Sequence, residues 1–256
     1  MQHDWSQWTL ANPIRLVATD MDGTLTHRGK FTPILFEALE RLASVNIPVI
    51  IVTGRSAGWV EAIAHYLPIA GAIAENGGLY FAKPDSAPDI LVPIADLPPH
   101  RQQLANAFHV LQQTFPHLRE ASDNRFRLTD WTFGVQGLSP IDLQWMRETC
   151  QEEGWGFTYS TVQCHIKLPQ QEKATALQAV LQRYFPDLEL KEIVTVGDSP
   201  NDESLFNPAI FPNAFGVANV REYGDRLTYV PRILTPSPEV QGFLELARQL
   251  QTFSQP

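Results

Sequence analysis

Two periodicities of apolar and polar residues alternate along the first part of the chain. Short apolar runs that end in turn residues predict buried strands over 14–19, 48–55 and 72–74. Between these runs, apolar residues recur at helical spacing. Thr32 and Pro33 are predicted to be the N-cap and first residue of one helix, and a second helix is predicted from Ser56 onward. Strands that alternate with helices favour right-handed β-α-β units and a parallel sheet.

The pattern changes at residue 83. Residues 83–99 contain five of the chain's 20 prolines, which argues against a helix or a central strand there and marks a boundary. The segment that follows has hairpin connections and is typical of a small α+β module. Its predicted elements are helices over 100–115 and 140–153, a strand over 124–136 and a hairpin over 156–168.

The first pattern returns at Gln171, where a helix with one apolar face is predicted. The predicted elements after it are a buried strand that ends in acidic residues within 192–202, strands within 214–220 and 226–230, and a helix capped near Ser237 that runs to Leu250. The sequence therefore predicts an α/β fold in which an α+β module is inserted into a parallel-sheet domain. The predicted division is 1–82 and 169–256 for the core, and 83–168 for the insert.

Composition narrows the classes of function. A chain of 256 residues, 44% of them hydrophobic, can bury one large core or two moderate ones. The net charge of −9 argues against a nucleic-acid partner or an anionic membrane surface. No leader-like segment or long uncharged apolar run is found, so we expect a cytoplasmic protein with no membrane partner. Cys150 and Cys164 fit neither a disulfide framework nor a zinc site.

Polar clusters fall where predicted strands end or where a helix begins. They are Asp20 with Asp22, Thr53 with Gly54 and Arg55, Lys173, and Asp198 with Asp202. In an open α/β sheet, ligands bind in the crevice at the carboxyl ends of the strands, so these clusters are the candidate site. Several carboxylates in one crevice repel unless a cation neutralises them, and oxygen-only ligation favours Mg²⁺. The sequence therefore predicts a magnesium site.

The two acids at the end of the first strand suit phosphate-ester hydrolysis. Asp20 can attack phosphorus and form an aspartyl-phosphate, since a carboxylate is a competent nucleophile. Asp22 can then protonate the leaving oxygen and afterwards activate water. Thr53 and Lys173 can stabilise the charge of the phosphoryl group. On this interpretation the partner is a small phosphate ester.

The order of these motifs resembles that of the haloacid dehalogenase (HAD) superfamily. The resemblance is carried by DMDGT at 20–24, the Thr53 of VTG, Lys173 at a helix start and GDSPND at 197–202. It implies a Rossmann-like core with an inserted α+β cap of the C2B type, as in type IIB, Cof-like members. Within that group, ENGG at 75–78 and the segment 165–177 are similar to the phosphoglycolate and sucrose-phosphate phosphatases.

The resemblance also implies residue roles. Asp20 is expected to be nucleophile and metal ligand, and Asp22 an acid/base that offers its backbone carbonyl to Mg²⁺. Asp198 and Asp202 are expected to be metal-side carboxylates. Thr53 and Lys173 match the phosphate-binding positions, with Gly54 and Arg55 as further substrate-binding candidates.

Alternatives stay open at this point. A phosphomutase of the phosphomannomutase type resembles the same arrangement of core and cap. A phospho-accepting regulatory protein also gathers acids, Thr and Lys on a parallel sheet, although its acceptor Asp ends the third strand, where this chain has Glu75. Arg125, Arg127, His165 and Lys167 are the basic residues of the insert that can reach a second anionic or hydroxyl group of a substrate. Alternating basic residues usually mark the solvated face of a sheet, so we expect them there.

Overall fold

Two sheets organise the part of the chain that the computed structural model describes, residues 5, 12–82 and 87–253. The strands are β1 (Leu16–Thr19), β2 (Val49–Val52), β3 (Gly71–Ala74), β4 (Leu79–Phe81), β5 (Asp89–Ile90), β6 (Trp131–Gly134), β7 (Gly156–Tyr159), β8 (Gln163–Lys167), β9 (Ile193–Gly197), β10 (Asn213–Gly216) and β11 (Ile233–Leu234). The α-helices are α1 (Pro33–Ser44), α2 (Ala57–Tyr66), α3 (Leu97–Thr114), α4 (Pro140–Glu152), α5 (Lys173–Tyr184) and α6 (Glu239–Phe253). Short 3-10 helices span Asn124–Phe126, Leu190–Glu192, Pro200–Phe206 and Ala218–Arg226.

The large sheet has the strand order β11-β10-β9-β1-β2-β3-β4-β5. Its strands pair in parallel from β11 to β3, whereas β4 and β5 add antiparallel strands at one edge. Strand β1 lies between β2 and β9, so the carboxyl ends of these three strands meet at one edge of the sheet. The predicted α/β fold with a parallel-dominated sheet is confirmed.

Helices cover both faces of the large sheet, which explains why its central strands are apolar throughout. Helices α1, α2 and α6 pack on one face, where Leu35, Leu39 and Phe243 are buried. Helix α5 packs on the other face through Leu177 and Leu181.

The small sheet is antiparallel, with the order β6-β8-β7, and its two faces have opposite characters. On β8, Cys164 and Ile166 join a hydrophobic cluster with α3 and α4. The alternate residues Gln163, His165 and Lys167 therefore point to the opposite face, as the period of two in a strand requires. That face covers the carboxyl-end edge of the large sheet instead of facing water.

Basic residues of the small-sheet region were expected on a solvated face, and for three of them this is wrong. Arg127 is only 2% exposed, and His165 and Lys167 are each 1% exposed. Arg127 Nη1 donates to the carbonyl of Gly54 at 2.9 Å, which ties the region to the loop after β2. Arg125 alone is exposed, with its guanidinium 4.7 Å from the ring centre of Phe126.

Two strand predictions also need correction. In the predicted strand 124–136, the first residues form a 3-10 helix and the strand begins only at Trp131. The reason is that the Asn124 side chain bonds both backbone groups of Thr132, at 2.8 and 2.9 Å, and so takes the place of a strand partner. Segment 226–230 is not a strand, because the backbone of Thr228 donates to the Glu203 carboxylate at 2.7 Å.

The division into 1–82, 83–168 and 169–256 stays a prediction. Residues 83–86 and most of the N-terminal dozen lie outside the described residues, and β5 pairs with β4 at the edge of the large sheet. Among the helices of the described residues, none combines the length and the apolar character that crossing a bilayer requires.

Candidate active site

The first acid of DMDGT lies at the carboxyl end of β1 and is bound to a lysine. Asp20 is 3% exposed, and its Oδ1 accepts a hydrogen bond from Lys173 Nζ at 2.6 Å. Lys173 is the first residue of α5 and is completely buried. The same Nζ donates to Asp202 Oδ1, also at 2.6 Å. One ammonium group thus holds two carboxylates that are 182 residues apart in sequence.

The two acids of GDSPND play different local parts. Asp202 lies in the 3-10 helix after β9, and its Oδ2 accepts the backbone N–H groups of Asp198 and Ser199 at 2.9 and 3.1 Å. This arrangement is a capping box, which explains the spacing of serine and aspartate. Asp198 is fixed by Thr24 Oγ1 at 3.2 Å and by Asn219 Nδ2 at 2.9 Å.

Asp20, Asp198 and Asp202 form a buried acidic cluster. One carboxylate oxygen from each lies within 4.8 Å of those of the other two. Burial, reinforced by the neighbouring Asp202, raises the pKa of Asp20 to about 7. Burial, together with Asp20 and Asp202, also raises the pKa of Asp198 well above its usual value. Burial opposes the charge of Lys173, but Asp20 and Asp202 outweigh it and raise the pKa of the lysine.

When all three carboxylates are ionised, one lysine leaves an excess negative charge in a buried place. Burial and the repulsion between these charges are what raise the pKa values of Asp20 and Asp198. Oxygen-only donors with excess negative charge fit a hard divalent cation. The cluster is therefore a place that can bind a metal ion.

Asp22 is not one of the three clustered acids and is bound by an arginine instead. Its carboxylate accepts two hydrogen bonds from Arg55, from Nε at 2.7 Å and from Nη2 at 2.6 Å. This bidentate hydrogen bonding raises the pKa of Arg55. The guanidinium also lies 4.6 Å from the ring centre of Trp59. The predicted acid/base and the predicted substrate-binding arginine are thus brought together, at the mouth of the site.

A narrow cleft, partly open to solvent, lies beside these groups. It is lined by Asp20, Asp22, Thr53, Gly54, Arg55, Ser160, Val162, Gln163, His165 and Asn201. Six of these follow strands of the large sheet, and four belong to the β7–β8 hairpin of the small sheet. The structure therefore brings the predicted residues Thr53, Gly54 and Arg55 to the same cleft as Asp20.

Close packing explains why residue 54 is a glycine. A Cβ there would lie 3.0 Å from His165 Cε1 and 3.1 Å from Asn76 Nδ2. Asn76 is buried, and its Nδ2 makes no hydrogen bond within the described part of the chain. Its Oδ1 accepts from Asn201 Nδ2 at 3.0 Å. The loop after β3 therefore supplies an unpaired donor next to Gly54.

Glu75 joins the two sheets. Its buried carboxylate accepts the backbone N–H groups of Ala57, Leu128 and Thr129 at distances of 2.6 to 3.1 Å, and the hydroxyl of Thr129 at 2.7 Å. Burial raises the pKa of Glu75. Glu75, which follows the third strand, is therefore a buried hydrogen-bond acceptor that joins the two sheets, and it does not line the cleft.

Sequence reasoning missed several residues of the cleft. Asn201, Ser160, Val162 and Gln163 were not predicted, and His165 was expected to be solvated. The alternation of polar and apolar residues along β8 was a signal that one face is distinct. It did not say that another part of the protein covers that face.

Comparison with known sequences supports the same family. A sequence model described as haloacid dehalogenase-like hydrolase matches residues 17–88. The phosphoglycolate phosphatase of Archaeoglobus fulgidus is 28% identical over 90% of this chain and 94% of its own length. That of Methanothrix thermoacetophila is 29% identical over 80% of this chain and 85% of its own length.

Solved structures share the fold. A protein of Thermoplasma acidophilum has a TM-score of 0.73 at 22% identity and covers 94% of this chain and 99% of its own. The sucrose-phosphatase of Synechocystis, solved with sucrose and phosphate, has a TM-score of 0.66 at 16% identity, with 93% and 98% covered. The partial match to the family model, the phosphatases among the similar sequences and the shared fold all agree with the resemblance to haloacid dehalogenase-like hydrolases that the motifs indicated.

Proposed function

We propose that this chain is an Mg²⁺-dependent phosphatase that hydrolyses a small phosphorylated metabolite through an aspartyl-phosphate on Asp20. The observation that carries the proposal is the buried Asp20 at the end of β1, held by Lys173 beside two further carboxylates. A nucleophile must be fixed near cationic groups that hold the phosphoryl oxygens, and this arrangement supplies both requirements.

The donor set fits a magnesium ion. Asp20, Asp198 and Asp202 would hold it, together with the backbone carbonyl of Asp22, because hard divalent cations prefer oxygen ligands. When bound, the ion would neutralise the excess charge of the cluster and that of the phosphoryl group. Thr53, Gly54 and Lys173 are the proposed phosphate-binding residues, and the unpaired Nδ2 of Asn76 is a further donor beside them.

The proposed reaction has two steps on the residues of this chain. The carboxylate of Asp20 attacks phosphorus, and the ester oxygen leaves with a proton from Asp22. Asp22 then removes a proton from the water that hydrolyses the aspartyl-phosphate. Arg55 binds Asp22 in the structure, and an entering phosphate competes for the guanidinium, which frees Asp22 to face the leaving oxygen.

The names of the relatives support a phosphoglycolate or sugar-phosphate substrate. We also propose that the enzyme acts in the cytoplasm, where such metabolites occur.

The direct test is phosphate release from a panel of phosphomonoesters that includes phosphoglycolate, hexose phosphates, sucrose 6-phosphate and p-nitrophenyl phosphate. We expect release with Mg²⁺, reversible loss of release in a chelator, and no release by the Asp20→Asn variant. Unchanged rates in the chelator would contradict the metal, and substantial activity of the variant would contradict the covalent step. Interconversion of hexose 1- and 6-phosphates without release would identify a mutase instead.

A further inference from the structure

One wall of the cleft belongs to the small sheet, and only some of its polar groups are without a hydrogen-bond partner. Ser160, Val162, Gln163 and His165 form this wall, at the end of the β7–β8 hairpin and on β8. Because the proposed phosphate-binding residues follow strands of the large sheet, we expect this wall to face the rest of the substrate. The groups it leaves unpaired therefore indicate what the leaving group carries.

Most of the charged and amide groups near this wall are already occupied. Arg127 donates to Asp123, Asp130, Gln163 and the carbonyl of Gly54. The Gln163 amide uses its oxygen for Arg127 and its nitrogen for Asp123 at 3.2 Å. The Arg127 and Gln163 groups that are paired in this way are not free to recognise a substrate.

Lys167 is occupied in a similar way, farther along β8. Its Nζ donates to the carbonyl of Gln171 and, at 2.6 Å, to the carboxylate of Glu172. Its side chain is buried, and it does not line the cleft. Lys167 therefore bonds the segment that leads into α5 and is not available to a substrate.

His165 is oriented by a buried carboxylate. Its Nδ1 lies 2.8 Å from Asp130 Oδ2, and both side chains are almost completely buried. Burial opposes the ionised form of Asp130, but Arg127 and His165 outweigh it and lower the pKa of this acid. Because a carboxylate only accepts hydrogen bonds, Nδ1 carries the proton of the imidazole. Burial lowers the pKa of His165, so the ring is neutral and its Nε2 is an acceptor.

Two complementary hydrogen-bonding groups remain on this wall. Among the described residues, no hydrogen bond reaches His165 Nε2, although the side chain is about nine-tenths or more buried and lines the cleft. Ser160 Oγ accepts the backbone N–H groups of Val162 and Gln163 at 3.1 and 3.3 Å. Its hydroxyl proton is therefore the group that it offers as a donor. An acceptor and a donor on one wall match a hydroxyl group, which is both.

We propose that His165, oriented by Asp130, accepts a hydrogen bond from a hydroxyl on the leaving group, so that the preferred substrate is a phosphate ester of a polyhydroxy compound. This inference rests on the proposed function and narrows its substrate class. His165 is the specificity residue, and Asp130 is a positioning residue that acts through it.

The charge of the lining disfavours a leaving group with a carboxylate. Among the described residues that line the cleft, Arg55 is the cationic one, and it is bound to Asp22. A substrate carboxylate would face the lone pair of a neutral imidazole, and the site would lack a free cation to pair with it. A hydroxyl has no such cost, because it can donate to His165 and accept from Ser160.

The test compares matched esters in the full-length protein with Mg²⁺. The probes are glycerol 3-phosphate and glucose 6-phosphate, propyl phosphate as the hydroxyl-free analogue, phosphoglycolate, and p-nitrophenyl phosphate. The variant is His165→Asn, whose amide can still donate to Asp130 but lacks an acceptor at the position of Nε2. His100→Asn is the control, since His100 is also buried and binds the carbonyl of Thr129 but does not line the cleft.

We expect wild-type kcat/KM to be higher for at least one hydroxylated ester than for propyl phosphate or phosphoglycolate. We expect His165→Asn to lower kcat/KM for that ester about 10- to 100-fold, the effect of leaving a buried hydroxyl unpaired. The loss of kcat/KM should be clearly smaller for p-nitrophenyl phosphate, which has no such hydroxyl, and all values of the control variant should stay close to those of the wild type.

The inference would be overturned by a wild-type preference for phosphoglycolate, or by an equal loss on every substrate in His165→Asn. The comparison of wild-type substrates decides the matter even if the variant does not fold. Failure to hydrolyse any ester, p-nitrophenyl phosphate included, would overturn the proposed phosphatase itself and the inference with it.

Discussion

Replacing Asp20 by Asn should stabilise the metal-free protein while it abolishes turnover. Asn removes the nucleophile and one negative charge but keeps nearly the same shape. Lys173 keeps its second partner, Asp202, at 2.6 Å, so the substitution does not leave the lysine unpaired. The stability of this variant therefore measures what the buried charge of Asp20 costs the fold.

The magnitude follows from the pKa. Burial and the nearby Asp202 raise the pKa of Asp20 from 3.8 to about 7 in the folded protein, so ionisation of this group opposes folding. The neutral carboxyl of Asp20 contributes stability that is fully present below the unfolded pKa of 3.8. This stability is lost as the pH rises through the folded pKa of about 7. The shift corresponds to about 4 kcal/mol at neutral pH and above, since one pKa unit is about 1.36 kcal/mol.

The assay is urea unfolding of the wild type and Asp20→Asn in a chelator, from about pH 4 to about pH 8. We expect similar stability near the lower limit and a growing advantage of the variant as the pH rises. Asp187→Asn is the control, because Asp187 is exposed and its replacement should change the unfolding free energy by less than about 0.5 kcal/mol. Added Mg²⁺ should stabilise the wild type more than the variant, because the proposed metal site includes the ionised carboxylate of Asp20.

The reasoning fails if Asp20→Asn is equally or less stable than the wild type at neutral pH without metal. It also fails if the difference between the two does not depend on pH. Either result would mean that Lys173 fully compensates the charge of Asp20, and the electrostatic argument for a cation at this cluster would lose its main support.

Three further substitutions test the surroundings of the site. Lys173→Met should abolish turnover and lower the free energy of unfolding by about 3–5 kcal/mol in urea, because it leaves buried carboxylates unpaired. The control is Lys191→Met, at an exposed lysine, which should change neither turnover nor stability. Gly23→Ala should reduce phosphate release and stability, since φ is +84° and a Cβ would overlap the Asp198 carboxylate; wild-type kinetics would contradict this. Glu75→Gln should lower the free energy of unfolding by about 1–3 kcal/mol in the same assay, because an amide nitrogen cannot accept the hydrogen bonds that the carboxylate accepts. An unchanged unfolding midpoint would refute this role of Glu75.

The core of the fold could be predicted because its signals are local in sequence. The apolar runs of β1, β2 and β9 are short and end in polar residues, and strands that alternate with helices pair in parallel. Parallel pairing brings the strand ends together, so acids that follow two different strands are expected to meet. Asp20 and Asp198 meet in this way, although neither segment alone specifies the other.

The strands at the edges were harder to predict. β4 follows β3 after a tight turn, in which Glu75 and Asn76 have positive φ angles of 52° and 54°. Non-glycine residues adopt this conformation only where other contacts hold them. Here the contacts come from Thr129 and Asn201, which are distant in sequence, so the short run Leu79–Phe81 was not recognised as an antiparallel strand.

The polar face of the small sheet shows most clearly what a single sequence leaves open. Alternation along β8 identifies two faces, but it does not distinguish a face in water from one that covers another sheet. Arg127 holds this face against the large sheet through its hydrogen bond to the carbonyl of Gly54, 73 residues away in sequence. Because that contact joins the small sheet to a phosphate-binding candidate, the same residues also place His165 beside the cleft. On the proposed function, substrate preference would therefore depend on long-range contacts, whereas the proposed role of Asp20 follows from a local motif.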